Sequence, residues 1–377
     1  MKKYYFSCVQ GIIKEGKLYA MALDANAICL VDFQRKSAEV IRWMDKCDFL
    51  SSGEYLAVCQ AENNLLLIPF GADYAILYDF VKCRKKRIRV MQPQIDTSKK
   101  YIQEKKFGIA FSADNNIYLL GATYPAILKI NACNCETLYL DAWIKEVQDI
   151  IPKSDYFAYG YLREGENVYV PGRASGTMFG LNLLTDKVTV YAKRNDIKLI
   201  HGIVRVGEEK WVIASLDNRE SLFLWSSKNG FTNEIVVKEN QSKYINWWNP
   251  LESGGYIYLC QMMGNVIYRV NMLKKTVEPC KKIVNAIEET SMAHETDSIS
   301  VILIGQEKEK IIFHTRWNRR WFIYNTLDQS IESFRIEISD KEYEYRYWNG
   351  LKKKPYATED ALQLKDFLKI VAEKANY

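Results

Sequence analysis

Val168-Tyr169-Val170-Pro171-Gly172-Arg173-Ala174-Ser175-Gly176-Thr177-Met178-Phe179-Gly180-Leu181-Asn182 is an apolar strand, a polar turn and a second apolar strand that stops at an asparagine. Asparagine, aspartate and serine hydrogen-bond the backbone just after them and so start turns. The stretch therefore predicts a hairpin, with a further strand at residues 187–191 and another upstream at 156–162.

The same grammar recurs along the chain. Apolar strands start at Leu18, Leu66, Ile117, Val168, Trp211, Ile257 and Ile311, spaced 48, 51, 51, 43, 46 and 54 residues apart. A second apolar run follows each start and ends at Asp32, Asp79, Asn131, Asn182, Ser226, Asn271 or Asn325. With one strand before each start and one after each turn, every unit holds four antiparallel strands. Residues 199–206 are such a leading strand, and residues 330–334 such a trailing one.

Four strands recurring every ~45 residues is the arithmetic of a β-propeller, whose blades are four-stranded sheets around a channel. Over about residues 4–338 the chain resembles the β-propeller superfamily. It lacks the Gly-His and Trp-Asp marks of WD repeats and the Gly-Gly pair of kelch repeats, so the likeness is to the architecture and to no single family. The expected fold is all-β, a seven-bladed β-propeller of four-stranded antiparallel blades with a C-terminal helix. Six or eight blades are the alternative counts, and a pair of β-sandwich domains is the competing architecture. Residues 1–340 form the expected propeller and 341–377 an arm and helix packed on it. Ala361, Leu364, Phe367, Leu368, Val371 and Ala372 make a helical stripe behind Thr358 as a cap. A short helix is also expected within 141–151. The long connections 91–106, 141–155 and 281–297 are expected to rise over one face.

Aromatic residues reach 13%, with 25 tyrosines, which suits pleated sheet surfaces. The chain carries 52 Lys and Arg against 46 Asp and Glu, too small an excess to argue for nucleic acid. Nine cysteines is an odd number, and Cys29, Cys59 and Cys260 sit in apolar runs. That fits free thiols in a reducing compartment better than a disulfide framework. With no apolar run of the ~18 residues needed to span a bilayer, the expectation is a cytoplasmic protein without a membrane span.

By resemblance to propellers generally, ligands are expected at the mouth of the central channel. That face carries the loops joining second to third strands and the links between blades. Equivalent loops supply Tyr74, Tyr124, Arg173, Arg219, Arg316 and Trp317, with Trp247 on an innermost strand. Guanidinium groups pair with carboxylate or phosphate while aromatic rings stack. The expected function is therefore a non-enzymatic binding or scaffold protein holding a polar small molecule, a glycan or a peptide or protein partner. The alternative is a lyase or hydrolase acting on a sugar-like substrate, with His201 as general base. His201 has no carboxylate partner visible in the sequence, and His314 reads as core. No cofactor is expected, and no metal site. Three histidines lack metal spacing, and Cys133-Asn134-Cys135 offers too few ligands. The basic run 82–89 is the strongest charge feature. It reads as a solvated hairpin on the face opposite the mouth, and nucleic acid is not expected as a partner.

Overall fold

The computed structural model describes residues 4–22, 27–43, 55–82, 84–91, 106–147, 156–191, 193–239, 246–262, 266–290, 301–316 and 318–338. They form seven antiparallel sheets in a ring. Blade one is Gly11–Lys14, Lys17–Met21, Ala27–Asp32 and Ser37–Trp43; blade two is Tyr55–Ala61, Asn64–Pro69, Tyr74–Asp79 and Arg84–Arg89. Blade three is Phe107–Ala113, Asn116–Gly121, Ile127–Asn131 and Thr137–Leu140. Blade four is Leu162–Glu164, Asn167–Gly172, Thr177–Asn182 and Val188–Val190. Blade five is Leu199–Val206, Glu209–Ser215, Arg219–Ser226 and Gly230–Glu239. Blade six is Leu251–Ser253, Tyr256–Cys260, Ile267–Asn271 and Thr276–Pro279; blade seven is Val301–Glu307, Lys310–Thr315, Arg320–Asn325 and Ile331–Arg335.

The turn chemistry read from sequence operates in all seven blades. Asp32, Asp79, Asn131, Asn182, Ser226, Asn271 and Asn325 each accept a backbone N–H two or three residues on, at 2.9–3.2 Å. That bond caps the third strand and turns the chain into the outermost one.

The core lies in the seams between blades. Ile117 and Leu119 face blade two, while Tyr118 and Leu120 face blade four. Because the second and third strands are covered on both faces, their sequences are continuous apolar runs and do not alternate. Each seam also carries a polar or cation–π contact. Arg42 stands 5.6 Å over the Tyr78 ring between blades one and two, and Lys106 pairs with Asp73 at 2.7 Å between two and three. Lys129 and Asp186 meet at 2.6 Å, Arg205 pairs with Glu164, and Trp247 bonds Glu220 at 3.1 Å around the next three seams. Ser253 meets Thr326 at 2.6 Å, and Gly16 N donates to Glu307 at 2.8 Å in the last two.

The ring closes on blade one. Its sheet has six strands, because Glu337–Ile338 adds in parallel to the outermost strand and Tyr4–Tyr5 pairs with Glu337–Ile338 in turn. Blade seven holds the N-terminal segment with donors from its side chains: Trp321 Nε1 to Phe6 O at 3.0 Å and Arg319 Nη1 to Tyr5 O at 3.1 Å. His314 Nε2 lies 2.7 Å from Cys8 O. His314 is thus buried core, as its apolar strand suggested.

Within the expected long connection 281–297, Lys281–Thr290 is an α-helix that buries Ile283 and Ile287 in the core shared by blades one, six and seven. The four-residue spacing of those isoleucines is the helical signal. The shorter helix expected within 141–151 is one turn, Ile144–Val147, with both end residues buried. The expected C-terminal helix and arm and most of the long connections lie outside the described residues. Among the described residues no helix is long and apolar enough to cross a membrane.

Candidate functional site

The innermost strands surround a channel of about 780 Å³, lined from six blades. Gln10, Gln60, Asn249, Tyr159, Tyr161 and Trp248 supply much of its chemistry, and Lys14 and Glu62 stand at the end away from the mouth. Asn249 is wedged between blades, where its Oδ1 accepts Ile203 N–H at 3.1 Å. Two neighbouring positions are glycine for this reason. A Cβ on Gly160 would stand 1.8 Å from Asn249 Oδ1, and one on Gly202 2.4 Å from it. Burial raises the Tyr161 phenol and pushes the Cys59 thiol up to about 12, so both are neutral at ordinary pH. The lining offers amide and phenol hydrogen bonds beside aromatic faces.

Arg173 stands at the mouth of this channel. It occupies the tight loop after Gly172, where Gly176 takes φ +62°. Its guanidinium lies 5.3 Å over the Tyr159 ring, and Nη2 donates to Asn246 Oδ1 at 3.2 Å. The cation over the aromatic face lies within blade four, beside the lining residue Tyr159, and the bond to Asn246 joins it to the start of blade six.

The other loop residues do not gather around Arg173. Arg219 makes a two-pronged pair with Glu234 on the outermost strand of its own blade, at 2.6 and 3.1 Å. That bond holds the Glu234 carboxyl below its usual range. Tyr124 is 2% exposed, stacks 4.9 Å from Phe107 and donates its hydroxyl to Met91 O at 2.6 Å, so its ring fills a seam. Tyr74 remains exposed on blade two and Arg316 on blade seven. Trp317 lies outside the described residues.

His201 and Trp247 meet, but below the surface. His201 Nε2 lies 2.7 Å from Ser215 Oγ, and Ser215 donates to Glu220 Oε2 at 2.6 Å. Trp247 Nε1 donates to the same oxygen at 3.1 Å. All four side chains are buried. Burial pushes the His201 imidazole down to about 3, and the Arg173 charge acts in the same direction. In a catalytic triad the histidine bridges carboxylate and hydroxyl. Here the serine is in the middle and its proton points at Glu220, which leaves the Ser215 lone pair to accept from a neutral His201. The arrangement anchors a seam and does not activate a nucleophile.

Glu220 is the carboxylate partner that the sequence analysis did not find for His201. The available signal was its position at the head of the apolar run Ser221-Leu222-Phe223-Leu224. A carboxylate beginning a buried strand requires partners.

The basic run is also relocated. Arg84–Arg89 is the outermost strand of blade two, and the hairpin on the far face holds only its first residues. Cys133 is exposed and Cys135 half-buried in the blade-three hairpin. Among the described residues no cluster of three or more potential ligands is placed to hold a metal ion.

No protein-family model matches the chain, and no curated protein does. Solved structures match in fold. Virginiamycin B lyase from Staphylococcus aureus aligns with a TM-score of 0.55 at 10% identity, over 83% of this chain and 95% of that one. The β-propeller domain of Cps50 (Swd1) from Myceliophteria thermophila aligns at 0.50 and 11% identity, over 89% and 99%. YCF48 bound to D1 peptide aligns at 0.54 and 7% identity, over 90% and 95%. Likeness at this level extends to the propeller fold and not to an activity.

Proposed function

We propose that the protein is a non-enzymatic binding module that receives a peptide segment, or a small polar or glycan-like ligand, at the channel mouth. The observation that carries this reading is Arg173, poised over Tyr159 above a lining of Gln10, Gln60 and Asn249. Amides and phenols match backbone amides and hydroxyls, while the guanidinium supplies a charge-assisted bond to a carboxylate. Two structures of similar fold hold a ligand: YCF48 a D1 peptide, and an inactive variant of the staphylococcal lyase quinupristin. The lyase or hydrolase alternative relied on His201 as base. That ring is buried, neutral and committed to Ser215.

A fluorescence screen of peptides, glycans and nucleotides, followed by titration of the best binder, tests the reading. Arg173→Ala should weaken binding by roughly tenfold or more, the worth of a hydrogen bond to a charged group. Arg219→Ala, at the periphery, should leave binding unchanged. Equal binding by wild type, Arg173→Ala and Tyr159→Ala would remove the site from the mouth. Turnover of a bound compound that survives His201→Ala would return an enzyme, with a different base.

A further inference from the structure

The middle of the channel carries no charge. Among the described residues Lys14 and Glu62 are the only charged groups of its lining, and both stand at the end away from the mouth. The polar groups above them are neutral, and several keep open valences. Asn249 commits Oδ1 to Ile203 N–H, which leaves Nδ2 as a donor. Gln60 donates from Nε2 to Glu62 O at 2.9 Å, which leaves Oε1 as an acceptor. Among the described residues nothing hydrogen-bonds the Gln10 amide or the Tyr161 hydroxyl. Burial raises the Tyr161 phenol, so it stays protonated and remains a donor.

Aromatic side chains share the same wall. Trp248 is a buried residue of the lining, in the segment that leads into blade six. Its Nε1 donates to Val301 O at 2.9 Å and its backbone N–H to Cys260 O at 3.0 Å, so the indole is fixed and its N–H is spent. A ligand can use only its ring. Phe111 of blade three and Tyr161 at the entry to blade four pack with ring centroids 4.9 Å apart, and both line the channel.

These features select a ligand by elimination. A charged group in the middle of the channel would lose its water and meet no countercharge. A sugar ring stacks on an indole, but its hydroxyls radiate to all sides. A flat heterocycle sets its donors and acceptors along an edge and leaves both faces to aromatic rings. Primary amides hold a donor and an acceptor in one plane, the pattern that reads such an edge.

We propose that the channel, taken as the binding site argued above, receives an uncharged planar heterocycle with a lactam or amidine edge, of which a nucleobase is the simplest form. The base stacks against Trp248, and its edge meets the amides of Gln10, Gln60 and Asn249. The volume of about 780 Å³ lies within the ~300–1,000 Å³ of small-molecule sites.

Equilibrium dialysis of radiolabelled adenosine, guanosine, cytidine and uridine against the full chain is the test. At least one nucleoside should bind saturably, with an affinity that salt hardly changes because the probe is uncharged. Trp248→Ala should weaken it roughly tenfold or more, and Trp248→Phe should recover part of the loss by returning a ring. Gln10→Ala should weaken it as well. That side chain is half-buried and bonded to nothing among the described residues, so this variant decides the matter even if Trp248→Ala misfolds. Nucleoside binding that Gln10→Ala and the Trp248 variants leave unchanged overturns the proposal. If no nucleoside binds while a peptide or glycan still binds through Arg173, the heterocycle is overturned and the mouth stands as the site. If no nucleoside, peptide or glycan binds, both are overturned.

Discussion

Trp247 donates its indole N–H to Glu220 Oε2 at 3.1 Å, across the seam between blades six and five. The same oxygen takes the Ser215 hydroxyl, so one buried carboxylate ties the segment leading into blade six to two strands of blade five. A satisfied buried hydrogen bond contributes about 0.5–1.5 kcal/mol net, and removing one partner costs more because the other is left buried and unsatisfied.

Glu220→Ala should therefore be severe. It strands the Ser215 hydroxyl and the Trp247 indole, each worth about 1–3 kcal/mol when left unsatisfied. A loss of about 2–5 kcal/mol in urea unfolding is expected, with Glu220→Gln losing less because it keeps an oxygen acceptor. A urea midpoint unchanged by Glu220→Ala would mean that the network contributes nothing to stability.

Two buried histidines set a pH dependence. Burial pushes His201 down to about 3 and His314 down to about 4; Arg173 adds to the first shift, and Arg319 and Arg316 to the second. An unfolded histidine titrates near ~6.5, so between that pH and the folded values the unfolded chain binds more protons. Stability is then full above ~6.5 and falls as the medium is acidified, by up to about 1.4 kcal/mol per pH unit for each ring. Unfolding in urea at steps from neutral to about pH 5 reads this window before the carboxylates titrate. His201→Gln should remove about half of the slope, and a flat profile for the wild type would contradict both assignments.

Gly160 and Asn249 should behave as one unit. Gly160→Ala drives a methyl group to within 1.8 Å of Asn249 Oδ1. Overpacking of this kind costs about 1–3 kcal/mol. Asn249→Ala loses the bond to Ile203 N–H but clears the space. The double variant should therefore be more stable than the sum of the two single losses predicts, by about 0.5–3 kcal/mol. Strict additivity in a double-mutant cycle would show that the glycine is not there for the asparagine.

The ring was legible because its signals are local. The strand starts Leu18, Leu66, Ile117, Val168, Trp211, Ile257 and Ile311 all fall in second strands, and the residues that end the third strands all start turns. The site was less so. Loop position says which face a residue is near, but not which way its side chain turns, so Arg173 turns to Tyr159 while Arg219 turns to Glu234 and Tyr124 into a seam. Contacts between blades were hidden for the same reason. His201 stands on the innermost strand of blade five and Trp247 just before that of blade six, and nothing in their own segments shows that Glu220 joins them.

Closing the ring on the rim of blade one bears on how long the folded protein lasts. A linear stack of repeats has two ends from which it can fray, and each step costs a single interface. A closed ring offers no such end. Unfolding must first open a seam while every blade still has both neighbours, and at the seam between blades seven and one the chain crosses only at the outer rim, where Glu337–Ile338 joins the sheet of blade one. There Trp321, His314 and Arg319 hold the carbonyls of Phe6, Cys8 and Tyr5. Weakening this latch is therefore expected to shorten the half-life of the folded ring more than it shifts the equilibrium.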